Sequence, residues 1–234
     1  MTLIQNITKI LKGKTIAIWN FFYSEKESDL SDFSIDEYKN VFIDNRTIEE
    51  IKETYSKAWE AKKFENENYW KRATYFWAFQ VASFAGYFAV FSSKAYIKNP
   101  QILYFVICIG FISALAWVCI NIGSKIWQRH WENHVDMLED KITGPLYKIV
   151  TIRKTYSVSK INDIVSRFFV AIWVIIGIQY FVEHFSFKWN GFSNLDYLVI
   201  LSTIATLYFC GAMFMGHGRG RFGSRDVRFF KRNV

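Results

Sequence analysis

Long stretches without a charged residue set the first constraint on this chain. Residues 73–93 (ATYFWAFQVASFAGYFAVFSS), 99–124 (containing LYFVICIGFISALAWVCINIG) and 197–216 (YLVILSTIATLYFCGAMFMG) hold no Asp, Glu, Lys or Arg. At about 1.5 Å per residue each reaches across a hydrocarbon core of roughly 30 Å. A fourth stretch, 168–182 (FFVAIWVIIGIQYFV), is shorter, but Arg167 and Glu183 at its ends can snorkel towards water. A soluble chain of 234 residues has no core large enough to cover four such helices. The expected fold is therefore all-α: a polytopic membrane protein with transmembrane helices at 73–93, 99–123, 164–183 and 197–216, and long cytoplasmic helical extensions.

Charged residues make up 21% of the chain and fall in blocks between these stretches. Lys and Arg number six in 51–73, seven in 124–163 and six in 217–234, against two in 94–100 and one in 183–196. Basic residues favour the cytoplasmic side, so both termini and the central loop are expected in the cytoplasm. The net charge of +8 is largely this asymmetry and does not by itself argue for a nucleic-acid partner. Residues 1–23 do not form a cleavable signal, since Lys9, Lys12 and Lys14 interrupt any apolar run. They read as an amphipathic helix with Leu3, Ile4, Ile7, Ile10 and Leu11 on one face, lying on the membrane or packed on the protein. Cys108, Cys119 and Cys210 all fall inside spans, which suggests no disulfide framework.

Residues 24–46 are polar and broken, expected as loop with short helical pieces, and complete an N-terminal region of 1–46. Thr47 and Glu50 have the spacing of a capping box, and Ile48, Ile51, Tyr55, Ala58 and Trp59 follow at helical spacing. Nothing breaks the helix from there, so 47–72 is expected to run straight into the first span, about 45 residues in all. After the second span no helix breaker intervenes between Lys125 and Thr143, and Gly144-Pro145 then ends the helix. Trp127, Trp131, His134 or Val135, and Leu138 form a stripe expected to pack on the extension of the first span. Beyond Pro145, residues 146–156 alternate partly and fit a strand or an extended connection, which completes a cytoplasmic region of 124–163.

The stretch IWQRHWENHVDMLED, 126–140, concentrates the chemistry. Arg129 and His134 satisfy R-x-x-x-x-H, a form similar to that of HEPN ribonucleases, in which the histidine moves a proton and the arginine holds a phosphate. His130 and His134, four apart, share a helix face as a metal pair would, but Trp131 stands where a zincin has its glutamate. Asp136, Glu139 and Asp140 fit the solvated face of an exposed helix equally well. The favoured reading is the wet end of a membrane helix, with no enzyme activity, no metal and no cofactor. Gln80, Ser83, Ser113, Trp117, Asn121 and Thr206 give the spans mildly polar faces, suited to a pore wall between subunits or to hydrogen-bonded packing. Trp59, Trp70, Trp127 and Trp131 are expected to form a cytoplasmic collar that could receive a protein partner. The basic tail 217–234, with Phe222, Phe229 and Phe230 interleaved, points to anionic lipid rather than nucleic acid, because headgroups are adjacent.

In YWKRATYFWAFQ (69–80), GSKIWQRHWENHVDMLED (123–140), GPLYK (144–148) and YSVSKIND (156–163) the chain resembles RipA-type octameric bacterial inner-membrane proteins. More distantly it resembles the pore-forming membrane accessory proteins of Cas13b-type CRISPR systems, whose R-x-x-x-x-H element Arg129 and His134 match. The resemblance covers the middle of the chain and leaves out residues 1–50 and the tail. It implies a homo-oligomer in the bacterial inner membrane and a role in membrane permeabilisation during antiphage defence. The alternatives are a non-conducting scaffold and a membrane-anchored HEPN-like ribonuclease.

Overall fold

The computed structural model describes residues 33–150, 155–184 and 197–215. The amphipathic helix expected in 1–23, the tail 217–234 and most of the loop 183–196 lie outside the described residues. Phe33–Leu207 form one compact unit, and the described residues 208–215 fall outside it. Among the described residues 87% are helical and none is in a strand.

Helix α1 (Ile35–Lys39) starts at a capping box: Glu37 N–H donates to Ser34 Oγ at 3.2 Å, and Ser34 N–H to Glu37 Oε2 at 2.7 Å. It passes into a π-helical turn, Asn40–Asp44. Helix α2 (Ile48–Phe91) is unbroken for 44 residues, about 66 Å at 1.5 Å per residue. Its start is the capping box read from the sequence, with Glu50 N–H on Thr47 Oγ1 at 3.3 Å and Thr47 N–H on Glu50 Oε2 at 2.8 Å. A short α3 (Lys94–Lys98) leads into α4 (Gln101–Leu138), and α5 (Val158–His184) and α6 (Tyr197–Met215) complete the described helices.

Among the described residues three helices are long and apolar enough to cross a membrane: Gln101–Lys141, Val158–His184 and Tyr197–Phe214. The uncharged segment 73–93, most of it at the end of α2, is not one of the three. Tyr75, Trp77, Gln80, Ser83 and Tyr87 make it less apolar than the others. The stretch that looked short in sequence, 168–182, belongs to a helix of 27 residues, about 40 Å long.

Helices α2 and α4 run antiparallel and stay together beyond the apolar segments. At their far end Ile51 and Ala58 of α2 share a buried cluster with Val135 and Leu138 of α4 and with Ile43. The sequence stripes meet there through Ala, Ile, Val and Leu. Trp59, Trp70 and Trp127 stay 37%, 45% and 36% exposed. Axes at the 8–10 Å typical of helix pairs leave room for small and branched side chains between them, not for two facing indoles. Helix α4 also ends sooner than the absence of breakers up to Thr143 suggests. A 3-10 turn, Glu139–Lys141, follows Leu138, and Gly144 reverses the chain at φ 70°. The cause is Glu139, fully buried, whose carboxylate accepts from the N–H of Tyr147 at 2.8 Å and of Lys148 at 3.2 Å. Residues 146–150 are turn and irregular chain, where alternation had left a strand open.

A second cluster joins Leu103, Tyr104, Ile107 and Ala114 of α4 to Trp173 and Tyr180 of α5 and Val199 of α6. Close approach depends on Gly110: a Cβ there would stand inside the Trp173 indole.

Candidate polar layers and histidine cavity

Polar side chains occupy the contact of α2, α4 and α5 in two tiers. In the first, Gln80 is fully buried. It accepts the Trp173 indole N–H on Oε1 at 2.7 Å and donates from Nε2 to Ser113 Oγ at 2.8 Å and to the Gly110 carbonyl at 3.4 Å. In the second tier Asn162 Nδ2 donates to Tyr69 Oη at 2.8 Å and to Asn121 Oδ1 at 3.1 Å. Asn121 Nδ2 donates to Ser166 Oγ at 3.3 Å, and Ser166 donates to the Asp163 carbonyl at 2.8 Å. Beside it Arg72 donates to Ser124 Oγ at 2.9 Å and lies 3.5 Å from Glu65 Oε2.

The sequence-named pore candidates are thereby placed. Gln80 and Trp117 are fully buried and Ser83 and Asn121 buried, all within one protomer; Ser113 is partly buried, donating to the Gly110 carbonyl at 3.0 Å. Thr206 donates to the Ser202 carbonyl at 2.7 Å and borders an apolar groove of about 220 Å³ with Tyr104, Phe111, Trp173 and Gly177. Within the protomer Gln80, Ser113 and Asn121 therefore hold helices together. The partners Tyr69, Asn162, Ser166 and Trp173 were not foreseen. Asn162 and Ser166, four apart just before an apolar run, were the available signal.

At the far end of α4 an open cavity of about 500 Å³ is bordered by Phe33, Ser34, Tyr38, His130, Asn133, His134 and Asp136, among others. Tyr38 Oη lies 2.8 Å from His134 Nδ1, and the rings of His130 and His134 are 4.7 Å apart. Burial pushes the Tyr38 hydroxyl up to about 12, so it stays protonated and donates. His134 is held below its ordinary value by burial first and by the neighbouring His130 second. The neutral imidazole that accepts at Nδ1 carries its proton on Nε2.

Arg129 is exposed and sits five residues from His134, about 140° around the helix at 100° per residue. The two side chains therefore leave the helix in different directions and do not converge on one phosphate within a protomer. His130 and His134 do share a face. Among the described residues no group of three or more His, Cys, Asp and Glu is placed to hold a metal ion. Of the collar residues, Trp59 packs on Tyr147 at 5.3 Å between centroids, and Lys62 Nζ lies 4.8 and 4.0 Å from those two rings. Trp70 meets Tyr69 edge-on, Trp127 meets His130, and Trp131 contacts both His130 and His134.

The described residues, all-helical with three helices of membrane length and apolar composition, define a helical membrane protein. Residues 52–182, more than half of the chain, match the octameric membrane protein family (8xMP), and the chain belongs to that family. It is thus an oligomeric membrane protein. The matched stretch contains both polar tiers, His130 and His134; α1 and α6 lie outside it. No curated protein and no solved structure matches the chain.

Proposed function

We propose that the chain is the subunit of a closed homo-oligomeric ring in the bacterial inner membrane that opens as a gated pore, a membrane-perturbing effector of antiphage defence. Each subunit crosses four times, through 73–93 of α2, the first part of α4, α5 and α6. Both termini are cytoplasmic, and the ends of α2 and α4 that lie beyond the apolar segments form the collar. The supporting observation is membership of an octameric family together with α2 and α4, which stay paired from the apolar segments to Ile51 and Leu138. A ring of such rods encloses an axis, and tilting them changes its width. The chain does this without catalysis and without a cofactor.

A second reading, a non-conducting scaffold whose collar recruits a cytoplasmic protein, draws on Gln80, Trp117 and Asn121. Their burial inside the protomer leaves fewer polar groups for a lumen. The ribonuclease reading gains no comparable support, since Arg129 and His134 leave the helix on different faces.

The test is the detergent-corrected mass of the purified full chain by light scattering, followed by conductance in planar bilayers. An octameric mass with discrete conductance steps supports the pore. An octamer that never conducts, and whose expression leaves the membrane voltage intact, moves the assignment to the scaffold.

A further inference from the structure

Four of the exposed apolar side chains on α2 fall on one line, while Phe64, Tyr75 and Phe79, also exposed, lie on the opposite side of the helix. Ile48, Trp59, Trp70 and Val81 are spaced eleven residues apart and are 56%, 37%, 45% and 65% exposed. Eleven residues make three turns with a drift of about 20°, so the line runs nearly parallel to the helix axis. A second line runs along α4 through Ile109, Ile120 and Trp127, which are 48%, 37% and 36% exposed. Neither line is on the face where the two helices meet, which carries Ile51, Ala58 and Gln80 on α2 and Ser113, Ser124 and Val135 on α4. At about 100° per residue in antiparallel helices, the α2 line falls roughly a quarter turn to one side of that contact, and the α4 line about 40–60° to the other.

We infer that these two lines are the two halves of the contact between copies, the α2 line of one protomer seated on the α4 line of the next. The inference rests on the proposed ring and on 73–93 crossing the membrane. Under that reading Val81 lies in hydrocarbon and Trp59 in water. Lipid covers the first and not the second, while a soluble partner covers the second and not the first. A neighbouring copy meets both environments at the same heights. Two different flanks make the contact heterologous, which is the kind that closes into a ring by rotation. Rotation about the membrane normal keeps height. Arg72 is level with Ser124 and Gln80 with Ser113 within a protomer, so Trp70 comes level with Trp127 of the next copy.

The test is a full-length double variant, Trp70→Cys with Trp127→Cys, oxidised in membranes and run without reductant. The expected result is a covalent ladder reaching eight copies, with no ladder from either single variant, both of which retain the native cysteines. As a second measurement, a benzophenone amino acid at position 59 or 70 should photo-crosslink to another copy, and one at Lys57, on a different face of α2, should not. An octameric mass without the ladder, or position-59 adducts that are lipid or a different polypeptide, overturns the pairing and leaves the ring intact. A monomeric mass for the unmodified chain removes the ring itself.

Discussion

The indole N–H of Trp173 donates to Gln80 Oε1 across 2.7 Å, joining residues on α5 and α2 that are 1% and 0% exposed. Buried from solvent, this bond and those from Gln80 to Ser113 and Gly110 tie three helices at one level. Gln80→Leu keeps most of the volume but leaves the indole N–H without an acceptor. A loss of about 1–3 kcal/mol is expected for an unpaired buried donor, towards the lower end in a membrane setting. The check is a midpoint of denaturation in detergent. Trp173→Phe in the Gln80→Leu background should cost less than the two single changes summed, because the orphaned donor is then gone.

Gly110→Ala is expected to destabilise, because its Cβ would occupy the Trp173 indole and one or both helices would have to move. Overpacking of this kind costs about 1–3 kcal/mol. Gly123 on the same helix is the control, since a Cβ there meets nothing within 4 Å. Gly123→Ala should gain about 0.5–1 kcal/mol from helix propensity alone. Opposite signs in the two melting shifts would attribute the Gly110 effect to Trp173; equal signs would remove that attribution.

The long helices were legible because their signals are local: the Thr47/Glu50 capping box and the charge-free runs each act within a few residues. Trp173 and Gln80 were not legible as a pair. Nothing in a run such as FFVAIWVIIG says which side its tryptophan faces, and the acceptor lies 93 residues away. Gln80, Ser113 and Asn121 stand out in the sequence as polar residues in apolar runs. Whether such groups face a lumen or a neighbouring helix depends on donors and acceptors supplied by other helices, which periodicity does not carry. The early end of α4 has the same origin, since Glu139 looks like a surface acid until its two amide partners in the following turn are known.

Glu139→Ala should loosen that turn without separating α2 from α4. The substitution leaves the N–H groups of Tyr147 and Lys148 without their acceptor, a local cost of about 1–3 kcal/mol. Hydrogen exchange is expected to accelerate at residues 147 and 148, while amides around Ala58 and Val135 keep their protection. Trp59 fluorescence should shift as well, since Tyr147 is its ring partner. Uniform loss of protection along α4 would show instead that the turn holds the whole helix pair.

Acidification should release α1 from α4 through His134. Burial, and then His130, hold the imidazole below its ordinary value of 6.5, so the packed state binds fewer protons than the opened one. The sign follows from linkage: the stabilising contribution is fully present above 6.5 and is lost as pH falls below it towards the depressed native value. Tyr38 remains protonated throughout, because burial keeps its hydroxyl at about 12, so the change belongs to the histidine side of the bond. His130 and Asp136 border the same cavity, and His130→Gln should weaken the depression by removing its second cause. Amide exchange at residues 35–44, corrected for intrinsic rates, should be faster at about pH 5.5 than near neutrality, on either side of an ordinary histidine value. In His134→Gln the same amides should show no such dependence. If that variant opens with acid as the unmodified chain does, the latch is not His134.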